Sequence, residues 1–228
     1  MTTNERRDEP MNKQSTTDEP MRRSTLTTLR RLVPNRNLTF SEALRVAELQ
    51  ASRLRELLDV RGEALPEEAI SELPRIRVVR RVLPTSGMSY WNGQEWVIAL
   101  NFREPEARQR FTLLHEYKHI LDHGSLERLY TGSRSADTAK QAEQAADYFA
   151  GCALMPKLLV KRAWGNRRQS PEALAQLFDV SPRAAEVRLA QLGLTEPMAR
   201  CAPPARSQRS ANRYFRLSTW PSPEWSAA

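Results

Sequence analysis

Arg110-Phe111-Thr112-Leu113-Leu114-His115-Glu116-Tyr117-Lys118-His119-Ile120-Leu121-Asp122, continued by His123 and Gly124, contains all three histidines of a 228-residue chain. At its centre is His-Glu-x-x-His. On a helix, side chains four residues apart lie one above the other on the same face, so the imidazoles of His115 and His119 can converge on one tetrahedral ion. Glu116, one step round the helix, is placed to take a proton from a metal-bound water. A site of this kind needs a third protein ligand from elsewhere in the chain.

The next helical pattern offers one. It runs from about Ala136 to Met155 and is stopped by Pro156. Ala139, Ala142, Ala146, Phe149, Ala150, Ala153 and Leu154 form its apolar stripe, with Glu143 and Asp147 on or beside that stripe. Two carboxylates at i and i+4 repel by roughly 0.2–0.5 kcal/mol even when exposed, and burying an unpaired charge costs far more. Zinc bound by Glu143, with Asp147 accepting a hydrogen bond from the outer nitrogen of one ligand histidine, accounts for both positions. The competing reading is a chance motif on an amphipathic helix whose histidines are merely satisfied in a core. The gathering of every histidine into one window, opposite an acidic pair, weighs against it. His123 is read as a helix-capping or supporting residue, because a third ligand one turn further along a straight helix points past the ion. Tyr117 and Lys118 are assigned no chemistry, and Tyr148 is read as a packed aromatic.

Before the histidine stretch, the period of the sequence changes twice. Thr39 and Glu42 have capping-box spacing, and Leu44, Ala47, Ala51, Leu54 and Leu58 then mark a scaffold helix to about Asp59. A short helix is expected between Pro66 and Pro74. From Arg75 the pattern is strand-like: Ile76, Val78, Val79 and Val82 form one run. Ser89-Tyr90-Trp91 and Gln94 to Leu100 form a hairpin around Asn92-Gly93, a pair that tolerates the positive φ of a type I′ turn. A small, mostly antiparallel sheet should therefore precede the histidine helix, itself expected from Pro105 to Gly124. The strand Trp96–Leu100 is read as the edge to which an extended substrate could add.

Charge and composition bound the function classes. Residues 1–37 carry eight basic and five acidic side chains and residues 201–228 four and one, leaving 23 and 21 in between. The net charge of +8 thus belongs mostly to the tails, whereas a DNA-binding footprint normally concentrates on a folded face. Tail arginines leave room for weak non-specific nucleic-acid binding. No apolar run approaches the roughly 20 residues of a membrane span, and the polar N-terminus lacks a signal-peptide core, so a cytoplasmic location is expected. Cys152 and Cys201 have no framework spacing and are read as reduced thiols.

The series Arg110 to His119, together with Glu143 to Pro156 and its Phe-Ala and Leu-Met-Pro ending, resembles the ImmA/IrrE family of metallo-endopeptidases over about residues 38–195. The resemblance implies an α+β, zincin-like core of the gluzincin kind. His115, His119 and Glu143 would be the Zn2+ ligands and Glu116 the general base, with Asp147 matching an acidic residue found a turn beyond the glutamate ligand in related zinc peptidases. It also implies a protein substrate: a helix-turn-helix repressor of a mobile element, prophage or stress regulon. The expected organisation is a disordered basic tail (1–37), a peptidase core (38–156), a helix-turn-helix-like helical subdomain (157–195) and a Pro/Arg-rich tail (196–228). In the third region, Ser170–Phe178 and Ser181–Gly193 read as two capped helices around Asp179-Val180. This unit is the basis of the alternative, a DNA-binding or repressor-sequestering regulator, although a helical hairpin that only packs has the same pattern.

Overall fold

The computed structural model describes residues 19–131 and 135–194. Helix α2 (Phe40–Leu57) begins where the sequence places it: the Thr39 side chain accepts from the Glu42 amide, and the Glu42 carboxylate accepts from the Thr39 amide at 2.9 Å. Arg36 lies 2.7 Å from the same carboxylate, and this bond holds Glu42 well below the usual range, at about 2. Ala43, Val46, Ala47, Ala51 and Leu54 form the buried stripe of α2.

Ahead of it the chain is already structured, which corrects the expectation of a disordered tail to residue 37. Helix α1 (Glu19–Arg30) packs with Leu29 fully buried and Leu26 and Leu32 against the same core. These three leucines recur every three residues, a periodicity masked by polar neighbours. Buried Gln50 of α2 donates to the Leu29 carbonyl, fixing the pair of helices. The chain then passes through the short helix α3 (Glu68–Ser71) into the sheet.

Strands β1 (Ile76–Arg81), β2 (Gly87–Trp91) and β3 (Trp96–Asn101) form a three-stranded mixed sheet in the order β1-β3-β2. The hairpin β2–β3 is antiparallel as expected, but β1 runs parallel to β3. Strand β3 is therefore central, and its expected role as a substrate-accepting edge is corrected. Val97, Ile98, Ala99 and Leu100 are all buried, the continuous apolar run of a strand covered on both faces. The turn also differs from type I′. Only Gly93 takes positive φ (+99°), while the Asn92 side chain accepts from the amides of Gln94 and Glu95, so the loop spans 92–95 and Trp91 pairs with Trp96.

The sheet lies on α4 (Glu106–Asp122), which packs on α6 (Ser135–Leu154); α6 packs in turn on α2. A one-turn helix, α5 (Leu126–Leu129), links α4 to the segment before α6. After α7 (Lys157–Gly165), α8 (Pro171–Phe178) and α9 (Pro182–Gln191) form the expected capped pair, with Ser170 and Ser181 as N-caps. Asp179 takes the left-handed turn position (φ 54°) and is held there by Arg110 of α4.

No packing break separates the helices beyond 156 from the rest: one apolar core runs from Leu29 to Leu189, and the compact unit extends to Leu194. Two buried arginines bind the end of α6. Arg55 donates to the Ala153 carbonyl at 3.1 Å and Arg188 to the Met155 carbonyl at 3.0 Å. Arg188, a cation on the second helix of the pair behind the DNA-binding alternative, is 2% exposed. Cys152 is buried, which pushes its thiol up to about 11; Cys201 and the C-terminal tail lie outside the described residues. Among the described residues no helix is long and apolar enough to cross a membrane.

Candidate metal centre

Helices α4 and α6 bring three side chains to one point. His115 and His119 share a face of α4, and Glu143 reaches them from α6. The His115 and His119 Nε2 atoms are 3.0 Å apart. Glu143 Oε2 lies 3.2 Å from His115 Nε2, and its Oε1 lies 3.3 Å from His119 Nε2. Two ligand atoms bound to one tetrahedral ion at about 2.0–2.1 Å stand roughly 3.3 Å apart. The triangle therefore has the dimensions and donor types of a zinc site with three protein ligands. Among the described residues it is the one such cluster of three.

The outer nitrogen of His115 is also held. Its Nδ1 is 2.8 Å from Asp147 Oδ1, one helical turn beyond Glu143, which leaves Nε2 facing the shared point. Burial alone would lower the pKa of His115, but hydrogen bonds to Asp147 and Glu143, with their charges, outweigh it and raise the imidazole to about 10. The reciprocal bonds from His115 and His119 hold Glu143 far below the usual carboxylate range. In charge terms the pocket is two carboxylates seeking a cation, which a proton on His115 or a divalent ion can supply.

Glu116 is half-buried beside this triangle. Ser89 of β2 donates from Oγ to its Oε2 at 2.8 Å. This contact depends on close passage of strand over helix at Gly87, where an added Cβ would stand 2.5 Å from Thr112 Cγ2 and 3.0 Å from the Ala99 carbonyl. Sequence spacing does not point to Ser89, since it stands 27 residues before Glu116 and only the strand order brings the two together.

His123 does not join the cluster. It occupies the C-cap of α4 and packs edge-on against Trp96, ring centroids 5.0 Å apart. Tyr148 is tied down as a packing residue, its hydroxyl 3.2 Å from Glu48 and its ring under Arg188. Lys118, by contrast, is structurally prominent. It is wholly buried, paired with Asp122 one turn further along α4, whose other oxygen accepts from the Tyr130 hydroxyl. Burial lowers its pKa against the opposing charge of Asp122. Arg30 of α1 adds a 2.7 Å bond to the Ile120 carbonyl. The i, i+4 spacing of Lys118 and Asp122 was the available signal, but spacing alone does not distinguish an exposed pair from a buried one.

A family model described as IrrE N-terminal-like domain (Peptidase_M78) matches residues 77–190, half of the chain. Among solved structures the chain is similar to a Mycobacterium tuberculosis transcriptional regulator, with a TM-score of 0.55 and 17% identity over 73% of this chain and 51% of that one. This chain thus spans about half the length of that protein, and the likeness is one of fold. No curated protein matches the sequence.

Proposed function

The chain belongs to the IrrE N-terminal-like peptidase family, and from that membership we propose that it is a zinc metallo-endopeptidase making a limited cut in a helix-turn-helix transcriptional repressor. The observation that carries the reading is the triangle of His115, His119 and Glu143, with spacing suited to one tetrahedral ion and Glu116 beside it. Zinc held there would supply Lewis acidity toward a peptide carbonyl and toward water. In this reading Glu116 takes the proton of the attacking water and returns it to the leaving amine. Ser89 fixes one oxygen of that carboxylate, and Asp147 keeps the His115 ring in register. The substrate enters as an extended segment along the outer edge of β2, the edge strand that carries Ser89.

The repressor as substrate rests on the family resemblance, and a cytoplasmic location is the setting in which such a target would be met. The DNA-binding form of the alternative loses one cation of α9, because Arg188 is buried on the Met155 carbonyl. The test is co-expression with the helix-turn-helix repressor encoded nearest this gene, using wild type and Glu116→Gln. Shortening of the repressor by wild type alone is the expected result. An intact repressor that co-purifies with both zinc-loaded proteins would favour sequestration instead.

A further inference from the structure

Strand β2 and helix α4 run side by side in the same direction, two residues of strand advancing with about four of helix. Gly87 touches Thr112, Ser89 bonds Glu116, and Trp91 reaches the level of His123 through Trp96. Residues 87, 89 and 91 share one face of the strand, as period-two alternation requires. The far end of that face is a stepped aromatic surface. Trp91 meets Trp96 edge-to-face at 5.6 Å between centroids, and Trp96 meets His123 the same way at 5.0 Å. Trp91 remains 44% exposed and His123 is also exposed, so the surface is open to solvent although its rings are already oriented. An indole held half in water with its ring already oriented presents apolar surface to an incoming side chain at little ordering cost.

We propose that Trp91, backed by Trp96 and His123, forms a substrate side-chain subsite that takes an aromatic or large aliphatic residue; this rests on the peptidase reading above. A peptide adding antiparallel to the outer edge of β2 places successive same-face side chains opposite Ser89 and then opposite Trp91. The residue opposite Ser89 lies beside Glu116 and the three-ligand cluster. The side chain opposite Trp91 belongs to the residue two positions nearer the substrate N-terminus. It lands on the face of the Trp91–Trp96 step, where aromatic or aliphatic surface is buried and a carboxylate would be desolvated without a partner. Selectivity then comes from a strand that also fixes the general base, so recognition and base alignment share one element.

The test uses the zinc-loaded full-length protein and the blocked peptides acetyl-Xaa-Ala-Gly-hydroxamate, with Xaa as Phe, Ala or Asp, titrated calorimetrically. The hydroxamate anchors on the metal and sets Xaa opposite Trp91. The expected result is about tenfold tighter binding of the Phe probe than of the Ala probe, with Asp weakest. Trp91→Ala should bring the ratio of Phe-probe to Ala-probe affinity down to about one, and Trp91→Phe should retain part of the preference. Equal binding of the three probes to wild type, or a Phe preference that survives Trp91→Ala, overturns the subsite and leaves the metal centre standing. No binding of any probe to protein with zinc bound would overturn the open metal centre, and the subsite with it.

Discussion

Ser89 on strand β2 donates a 2.8 Å hydrogen bond to Glu116 on helix α4, tying the motif glutamate to the edge of the sheet. Without this donor the carboxylate is free to rotate. Ser89→Ala should lower kcat by about tenfold, part of the 10²–10⁴ that a positioned general base contributes. Zinc content should be unchanged, and Ser89→Thr should restore most of the loss. Steady-state cleavage of the cognate repressor alongside metal analysis checks both.

Gly87 makes that contact possible by letting β2 lie on Thr112. Gly87→Ala forces strand and helix apart and should cost about 1–3 kcal/mol in denaturant unfolding, the usual range for overpacking. A variant as stable as wild type would mean that β2 can slide without strain.

The ligand assignment is tested by removing one donor at a time. His119→Ala and Glu143→Ala should each abolish stoichiometric zinc binding. Asp147→Ala, which removes only the partner of His115 Nδ1, should weaken affinity by about 10–100-fold. Chelator competition distinguishes the two grades of loss.

Acid–base behaviour should differ between metal-free and zinc-loaded protein. His115 titrates at about 10 in the folded metal-free chain, above its ordinary 6.5. A group whose pKa is raised by folding stabilises the fold fully below the unfolded value and loses that contribution as pH rises through the folded one. Metal-free protein should therefore lose stability between about pH 7 and 10 through this group. Zinc-loaded protein, whose ligand imidazole carries no proton at Nε2, should lack this term. Thermal melts of both forms across that window measure the difference.

Further along α4, Lys118 and Asp122 form a fully buried pair capped by Tyr130. Asp122→Ala strands an ammonium in the core and should cost about 3–5 kcal/mol. Lys118→Met combined with Asp122→Leu should recover much of that, as buried pairs replaced whole by apolar groups commonly do. Chemical denaturation of the single and double variants gives the coupling.

Much of the site could be read from the chain because it depends on helical repeats. His115 and His119 are four apart on one helix, Glu143 and Asp147 four apart on the next, and their faces follow from the apolar stripes around them. What joins distant segments was not readable in this way. Ser89 needed the strand order, and the centrality of β3 was signalled only by the uninterrupted run Val97 to Leu100, which a hairpin reading treats as an edge. Arg188 reads as an exposed helical cation because its partner, the Met155 carbonyl, lies 33 residues earlier. Helix α1 was hidden by composition: three leucines among threonines and arginines look too sparse to fold until α2 and α4 cover them.

The two arginines at the end of α6 bear on what could be inherited or transplanted separately. Arg55 comes from a helix before the sheet and Arg188 from the last helix, and both close carbonyls of the segment ending at Met155. A recombination junction at Pro156 would leave one fragment with an open helix end and the other with a guanidinium lacking its acceptor. The three described helices beyond Pro156 are therefore not an exchangeable cassette, and the smallest portable piece that keeps the centre intact runs through α9.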